Sequence, residues 1–228
     1  MVALFVIGTI ITCALIEYFR GRTKQRALAL KSPHTRNGQH DRFLLPRGFF
    51  LGEGHSWAEL LFSGNVRIGA DDFAQKVVGT IDALEVAPLG SEIKKGQPLF
   101  QVKQGNRTLT FPSPVSGKIS QINSQLFDSP SLIKQAPYFG GWVAVIEPAN
   151  ISAELKLLAV ADDAARWLRT EVSRFRDFLN TQQPAGAAMP AGATLLDGGI
   201  PMNGVLQSTS DETWKEFEQK FLCNSKNN

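Results

Sequence analysis

Cysteine is nearly absent: Cys13 and Cys223 are the two in 228 residues. Neither belongs to a CxxC pair or has a histidine nearby, so a disulfide framework and a cysteine-based metal site are both excluded. Histidine is almost as scarce. His34 and His40 fall in a polar stretch and His55 stands beside Trp57, with no HExxH and no second ligand pattern. Acid and base nearly balance at a net charge of +3, which leaves no electrostatic footprint for nucleic acid. The chain also lacks a P-loop, a GxSxG elbow and a dinucleotide fingerprint. No catalytic residue, metal or cofactor is therefore expected, and the chain reads as non-enzymatic. Its 43% hydrophobic and 20% charged residues are those of a globular protein.

Long apolar runs are scarce too, with one exception. Val2 to Tyr18, VALFVIGTIITCALIEY, is apolar until Glu17. A helix of that length spans roughly 26 Å, a little less than a hydrocarbon core of about 30 Å, and the Arg20 side chain extends its reach. No positive residues precede the run and no small-x-small cleavage site follows it, so a spanning helix over residues 1–19 is predicted rather than a signal peptide. Arg20, Arg22, Lys24 and Arg26 follow directly, and from Arg20 to Arg47 eight Lys or Arg oppose the single acid Asp41. This bias predicts an outside N-terminus, a single pass through the inner (cytoplasmic) membrane and a cytoplasmic body. Residues 20–41 form a basic juxtamembrane tether expected to rest on anionic lipid headgroups.

Short apolar runs punctuated by Gly, Pro and Asn follow. Strands are predicted at Trp57–Phe62, Asn65–Gly69, Ile81–Val86, Leu99–Gln104, Thr108–Phe111, Lys118–Ile122 and Trp142–Ile146. Asp71 and Asp72 suit the start of a short helix whose apolar face is Phe73, Val77 and Val78. Trp142, after the turn residues Gly140 and Gly141, is expected to anchor the core. Ser152 is expected to cap a long helical run with Leu155, Leu158, Val172, Phe175, Phe178 and Leu179 on one side, interrupted near Ala161–Asp163. Gln183–Gly192 reads as a Pro/Ala/Gly linker. SDETWKEFEQKFL reads as an amphipathic helix capped by Ser210, with Trp214, Phe217 and Phe221 on one face. That face docks either on its own domain or on a partner.

Five stretches fall in an ordered series: GHSW at Gly54–Trp57, GNVRIGADDFAQKVVGTID at Gly64–Asp82, LGSEIKKGQPLFQV at Leu89–Val102, SPVSGKISQIN at Ser113–Asn123 and DSPSLIKQAPYFGGWVAVIEP at Asp128–Pro148. In order and spacing they resemble the H protein of the glycine cleavage system, a lipoyl-carrying domain of the biotinyl/lipoyl hammerhead class, over roughly Phe50 to Leu168. The resemblance implies a barrel-sandwich hybrid domain over residues 42–168; with the N-terminal transmembrane helix and a C-terminal helical extension over 169–228, both read from the residues themselves, the expected fold is mainly β with flanking helices.

The resemblance fails at its functional point. Counting back from PVSG, the lipoyl-bearing lysine of the family falls on Asn106, within Lys103-Gln104-Gly105-Asn106-Arg107. Lipoyl attachment needs a primary amine, which Asn lacks, whereas Gly105-Asn106 makes a favourable two-residue hairpin turn. Lys103, the nearest lysine, is the residual candidate, three residues back in the strand and out of the family's sequence context. The expected function is a non-catalytic, membrane-anchored scaffold in a larger membrane complex of electron-transfer or photosynthetic type. Its contacts would be made by Arg20, Arg22, Lys24, Arg26, Trp214, Phe217 and Phe221 with other subunits and lipid. The alternatives are an adaptor or decoy for lipoate-handling or glycine-cleavage proteins, and an active lipoyl carrier.

Overall fold

The computed structural model describes residues 43–182 and 203–223, all of which belong to one compact unit. The predicted membrane helix, the tether with Arg20, Arg22, Lys24 and Arg26, and the Pro/Ala/Gly linker lie outside the described residues. Among the described residues no helix is long and apolar enough to cross a membrane.

Ten strands of the described residues form two antiparallel sheets: β1 Phe49–Leu51, β2 Ser56–Leu60, β3 Val66–Ala70, β4 Ala83–Val86, β5 Glu92–Ile93, β6 Pro98–Gln104, β7 Arg107–Pro112, β8 Gly117–Ile122, β9 Ala144–Pro148 and β10 Ala159–Val160. Seven line up as β10-β1-β2-β3-β9-β8-β5 and three as β4-β6-β7. Among the described residues six helices flank them: α1 Asp72–Val78, α2 Gln125–Asp128, α3 Leu132–Gln135, α4 Ile151–Leu155, α5 Ala161–Thr181 and α6 Asp211–Phe217. A 3₁₀ turn, Val205–Ser208, precedes α6, and a π-helical turn, Glu218–Leu222, extends it.

All seven predicted strands form, with ends shifted by a few residues. The sheets close on one apolar interior in which Val66, Ile68, Leu109, Ile119 and Ile146 are fully buried. Phe100 and Phe111 stack across the β6–β7 register with centroids 4.7 Å apart. A second cluster gathers Phe49, Trp57 and Tyr138. Trp57 lies across Gly69, where a Cβ would come within 2.6 Å of the indole. Its Nε1 donates to the Pro137 carbonyl at 3.1 Å. Each such side chain taken out of water contributes about 1.5–3 kcal/mol, so burial outweighs any single polar contact.

Three expectations are corrected. Trp142 is half-buried, and the core anchors are instead Trp57 and Tyr138, because β9 begins two residues later, at Ala144. The helical run after Pro148 breaks at Lys156–Val160, earlier than expected, because Ala159 and Val160 pair with Leu51 and Phe50. Pairing across the sheet edge overrides helical periodicity there. The first piece, α4, is capped by Asn150 rather than Ser152, the Asn150 side chain accepting from Ala153 N at 3.3 Å.

The C-terminal segment docks on the chain's own domain. Trp214, Phe217, Phe221 and Leu222 are buried. Phe217 and Phe221 stack at 5.0 Å and meet Phe175 of α5 edge-on at 5.5 and 5.6 Å. The π turn, closed by Cys223 N donating to the Glu218 carbonyl, lets Phe221 and Leu222 both face inward. Of the two docking options the face takes its own domain, so Trp214, Phe217 and Phe221 are intramolecular core residues and not the contacts with other subunits or lipid expected of them. The reason is energetic: four large apolar side chains are enclosed more cheaply on an adjacent apolar face than left in water.

Candidate functional site: the β6–β7 hairpin and its cover

The hairpin is built as its sequence requires. β6 and β7 pair from Phe100–Phe111 to Gln104–Arg107, leaving Gly105 and Asn106 as the two-residue turn. Gly105 takes φ +56°, whereas Asn106 is not left-handed, the pattern of a type II′ turn with glycine first. Asp82 holds the apex from outside by accepting the Gly105 N–H at 2.7 Å. Gln104 Nε2 donates to the Thr80 carbonyl at 2.6 Å and the Val78 carbonyl at 3.1 Å, tying the hairpin to the end of α1.

Asn106 is exposed at the apex and brings an amide, not an amine. Lys103 lies opposite Ala83 in the β4–β6 register, and its Nζ is ion-paired with Glu85 Oε1. It stands in the strand body, three residues before the apex. Asn106 thus brings no amine to the turn, and the Lys103 amine lies away from it.

The following residue, Arg107, is the most heavily engaged side chain of the hairpin. Its Nε donates to Asp211 Oδ1 at 2.7 Å and its Nη2 to the Thr209 carbonyl at 2.9 Å. Its Nη1 reaches the Leu206 and Gln207 carbonyls at 3.4 Å. The guanidinium also lies over the Trp214 ring at 5.4 Å. One forked cation therefore gathers the carbonyls that end the 3₁₀ turn and the acid that starts α6, a geometry a lysine could not match.

The free edge of β7 is occupied in the same way. The Thr108 carbonyl accepts from Trp214 Nε1 at 2.9 Å, and the Thr110 N–H donates to Glu218 Oε1 at 2.8 Å. These groups, two residues apart on an edge strand, would otherwise be open to another chain. Beneath the hairpin, Gln207 Nε2 donates to Thr80 Oγ1 and Gly204 N to the Lys76 carbonyl at 2.7 Å. Arg107 and the β7 edge were not singled out from sequence. The one available signal was an arginine beside the turn with an acidic helix start far downstream.

A second polar group lies deep inside. His55, with φ +56°, is fully buried between β2 and α1, its Nδ1 2.7 Å from Asp71 Oδ2. Its Nε2 faces Glu171 Oε2 of α5 at 3.4 Å without hydrogen-bond alignment. Burial pulls the imidazole pKa down, but the charge and hydrogen bond of Asp71, helped by Glu171, outweigh it and raise it to about 9. Asp71 also caps α1 through Ala74 N at 2.8 Å, and Asp72 accepts from Leu44 N and Gln75 and pairs with Lys76. The expected helix-start role of both acids holds, and Asp71 also fixes the His55 ring within the core. Among the described residues no group of three or more His, Cys, Asp or Glu is arranged to hold a metal.

An antiparallel β domain of two sheets, the smaller of which carries a tight two-residue hairpin, is the frame of a lipoyl-type module. The glycine cleavage H-protein model matches residues 51–171, more than half of the sequence, and the chain belongs to that family. The probable glycine cleavage system H protein of Pyrococcus abyssi is 37% identical over 128 residues, 56% of this chain and 95% of its own. The H protein of Coprothermobacter proteolyticus is 38% identical over 98 residues, 43% of this chain and 77% of its own. A crystal structure of an H protein from Mycobacterium marinum aligns at a TM-score of 0.43 and 23% identity, covering 46% of this chain and 87% of that one. The cover, residues 203–223, lies outside the matched range.

Proposed function

We propose that this chain is a non-catalytic accessory subunit: an H-protein-type module that carries no lipoyl group and serves as a scaffold in a membrane protein complex. One observation carries the reading. The hairpin that would present the attachment lysine is intact, yet its apex is Asn106, and the nearest lysine, Lys103, is paired with Glu85 away from the turn. An amide side chain cannot be acylated as an amine is, so the frame is retained while the carrier chemistry is gone.

The membrane part of the reading rests on the apolar run Val2–Tyr18 and on Arg20, Arg22, Lys24 and Arg26, which would fix the domain at the cytoplasmic face beside anionic headgroups. Neighbouring subunits, of electron-transfer or photosynthetic type, are the proposed partners. Retention of the H-protein frame favours one second reading, an adaptor for lipoate-handling or glycine-cleavage proteins. Solubilising native membranes in mild detergent and identifying stoichiometric co-purifying subunits tests the first reading. A chain that runs alone, or whose intact mass carries a lipoyl increment, overturns it. Capture of glycine-cleavage or lipoate-ligating proteins instead selects the adaptor.

A further inference from the structure

Residues 203–223 lie outside the family match yet make the most specific polar contacts of the hairpin. Arg107, immediately beside the apex, is directed into them through four acceptors. Two of the outward-facing backbone groups of β7, the Thr108 carbonyl and the Thr110 N–H, are matched by Trp214 and Glu218. Gly79 and Gly204 let the segment settle against the end of α1: a Cβ on Gly79 would stand 2.7 Å from Gly204 Cα. Burial of Trp214, Phe217 and Phe221 supplies the larger part of the docking energy, because the Arg107–Asp211 pair is screened by solvent on its Asp211 side. The polar contacts set the register that brings the segment to the apex.

We propose that residues 203–223 are an intramolecular cover that closes the β7 flank of the hairpin to any protein acting on residue 106, so that loss of the lysine is only half of what stops this module from carrying an acyl group. An acylating enzyme must place its active site on a side chain of a two-residue turn, and it therefore rests on the strands flanking that turn. On this chain the outer flank is already occupied. With the cover in place, acylation at position 106 is slowed by the fraction of molecules in which the cover is open. The inference goes beyond the scaffold reading. A restored lysine tests it, whereas the mass of the natural chain tests that reading.

The test uses the full chain with Asn106→Lys, a lipoate ligase, lipoate and ATP, alongside an H protein that accepts lipoate in the same reaction. The ligase joins lipoate to AMP with release of pyrophosphate. The lysine amine then displaces AMP, forms the amide and gives up a proton. N106K is expected to acquire the lipoyl mass increment about tenfold or more slowly than N106K/D211A/W214A, whose two further changes lie on the cover and leave the hairpin sequence intact. Equal rates for the two, or no modification of either beside a working control, overturn the proposal. A second measurement does not depend on the triple variant folding. In the natural chain the Thr110 amide is expected to exchange hydrogen about tenfold or more slowly than in Glu218→Ala, its partner being a charged acceptor. Exchange of Thr110 in the natural chain at the rate of an open strand edge also overturns it.

Discussion

His55 Nδ1 stands 2.7 Å from Asp71 Oδ2, with both side chains shut off from solvent. The pair spans the corner between β2 and α1, and Glu171 extends it to α5, whose own neighbour Arg174 reaches Glu171 at 2.9 Å. Two carboxylates around one buried imidazole favour the protonated ring, which raises its pKa to about 9.

That charge makes stability depend on pH in one direction. A folded pKa above the unfolded value means that the contribution is complete below about pH 6.5 and is lost as pH rises through about 9. Thermal unfolding followed from about pH 7 to about pH 10 is expected to show a falling midpoint in the natural chain and a flatter profile in His55→Gln. Equal slopes for both would show that His55 is not the group responsible.

Removing Asp71 should cost more than an ordinary cap. Asp71→Ala strips Ala74 N of its acceptor and leaves His55 facing Glu171 alone. A loss of roughly 3–5 kcal/mol is expected by chemical denaturation, against about 1 kcal/mol for a helix cap by itself.

Trp214 separates the two ways in which the cover is held. Trp214→Phe keeps a ring but loses the donor to the Thr108 carbonyl, and should cost about 1 kcal/mol. Trp214→Ala loses the ring as well and should cost about 3–5 kcal/mol. Urea unfolding of the two variants checks the ordering, and equal losses would place the whole effect on the hydrogen bond.

Gly79→Ala tests the close approach of the cover to α1. At φ +86°, with Gly204 Cα 2.7 Å and Gln207 Cδ 2.6 Å from the added Cβ, the substitution strains the backbone and displaces the 3₁₀ turn. A loss of about 2 kcal/mol or more is expected in thermal unfolding. Gly105→Ala, where no atom lies within 4 Å of the added Cβ, carries the φ penalty alone and should cost about 1 kcal/mol.

The sequence by itself determined the features that depend on neighbouring residues. Alternating runs bounded by Gly, Pro and Asn placed the longer strands, Asp71 marked the start of α1, and Ser210 marked that of α6 through its contact with Thr213 N. Gly105-Asn106 was legible as a turn because a two-residue hairpin leaves few other choices of residue. The shortest strands were not legible: β10 is the two residues Ala159–Val160, held in place by β1 more than a hundred residues earlier. A helical pattern runs through that stretch, and only pairing at the sheet edge stops it.

Tertiary structure alone decided where the C-terminal aromatic face goes and what surrounds His55. An apolar stripe fixes that Trp214, Phe217 and Phe221 must be covered, but it does not say by what. The answer is Phe175 of α5 on one side and the β7 edge with Arg107 on the other. His55 finds Glu171 across 116 positions of sequence, and Trp214 finds Thr108 across 106. No local pattern encodes such pairs, because their partners are chosen by which faces remain apolar and which edges remain unpaired once the two sheets have closed.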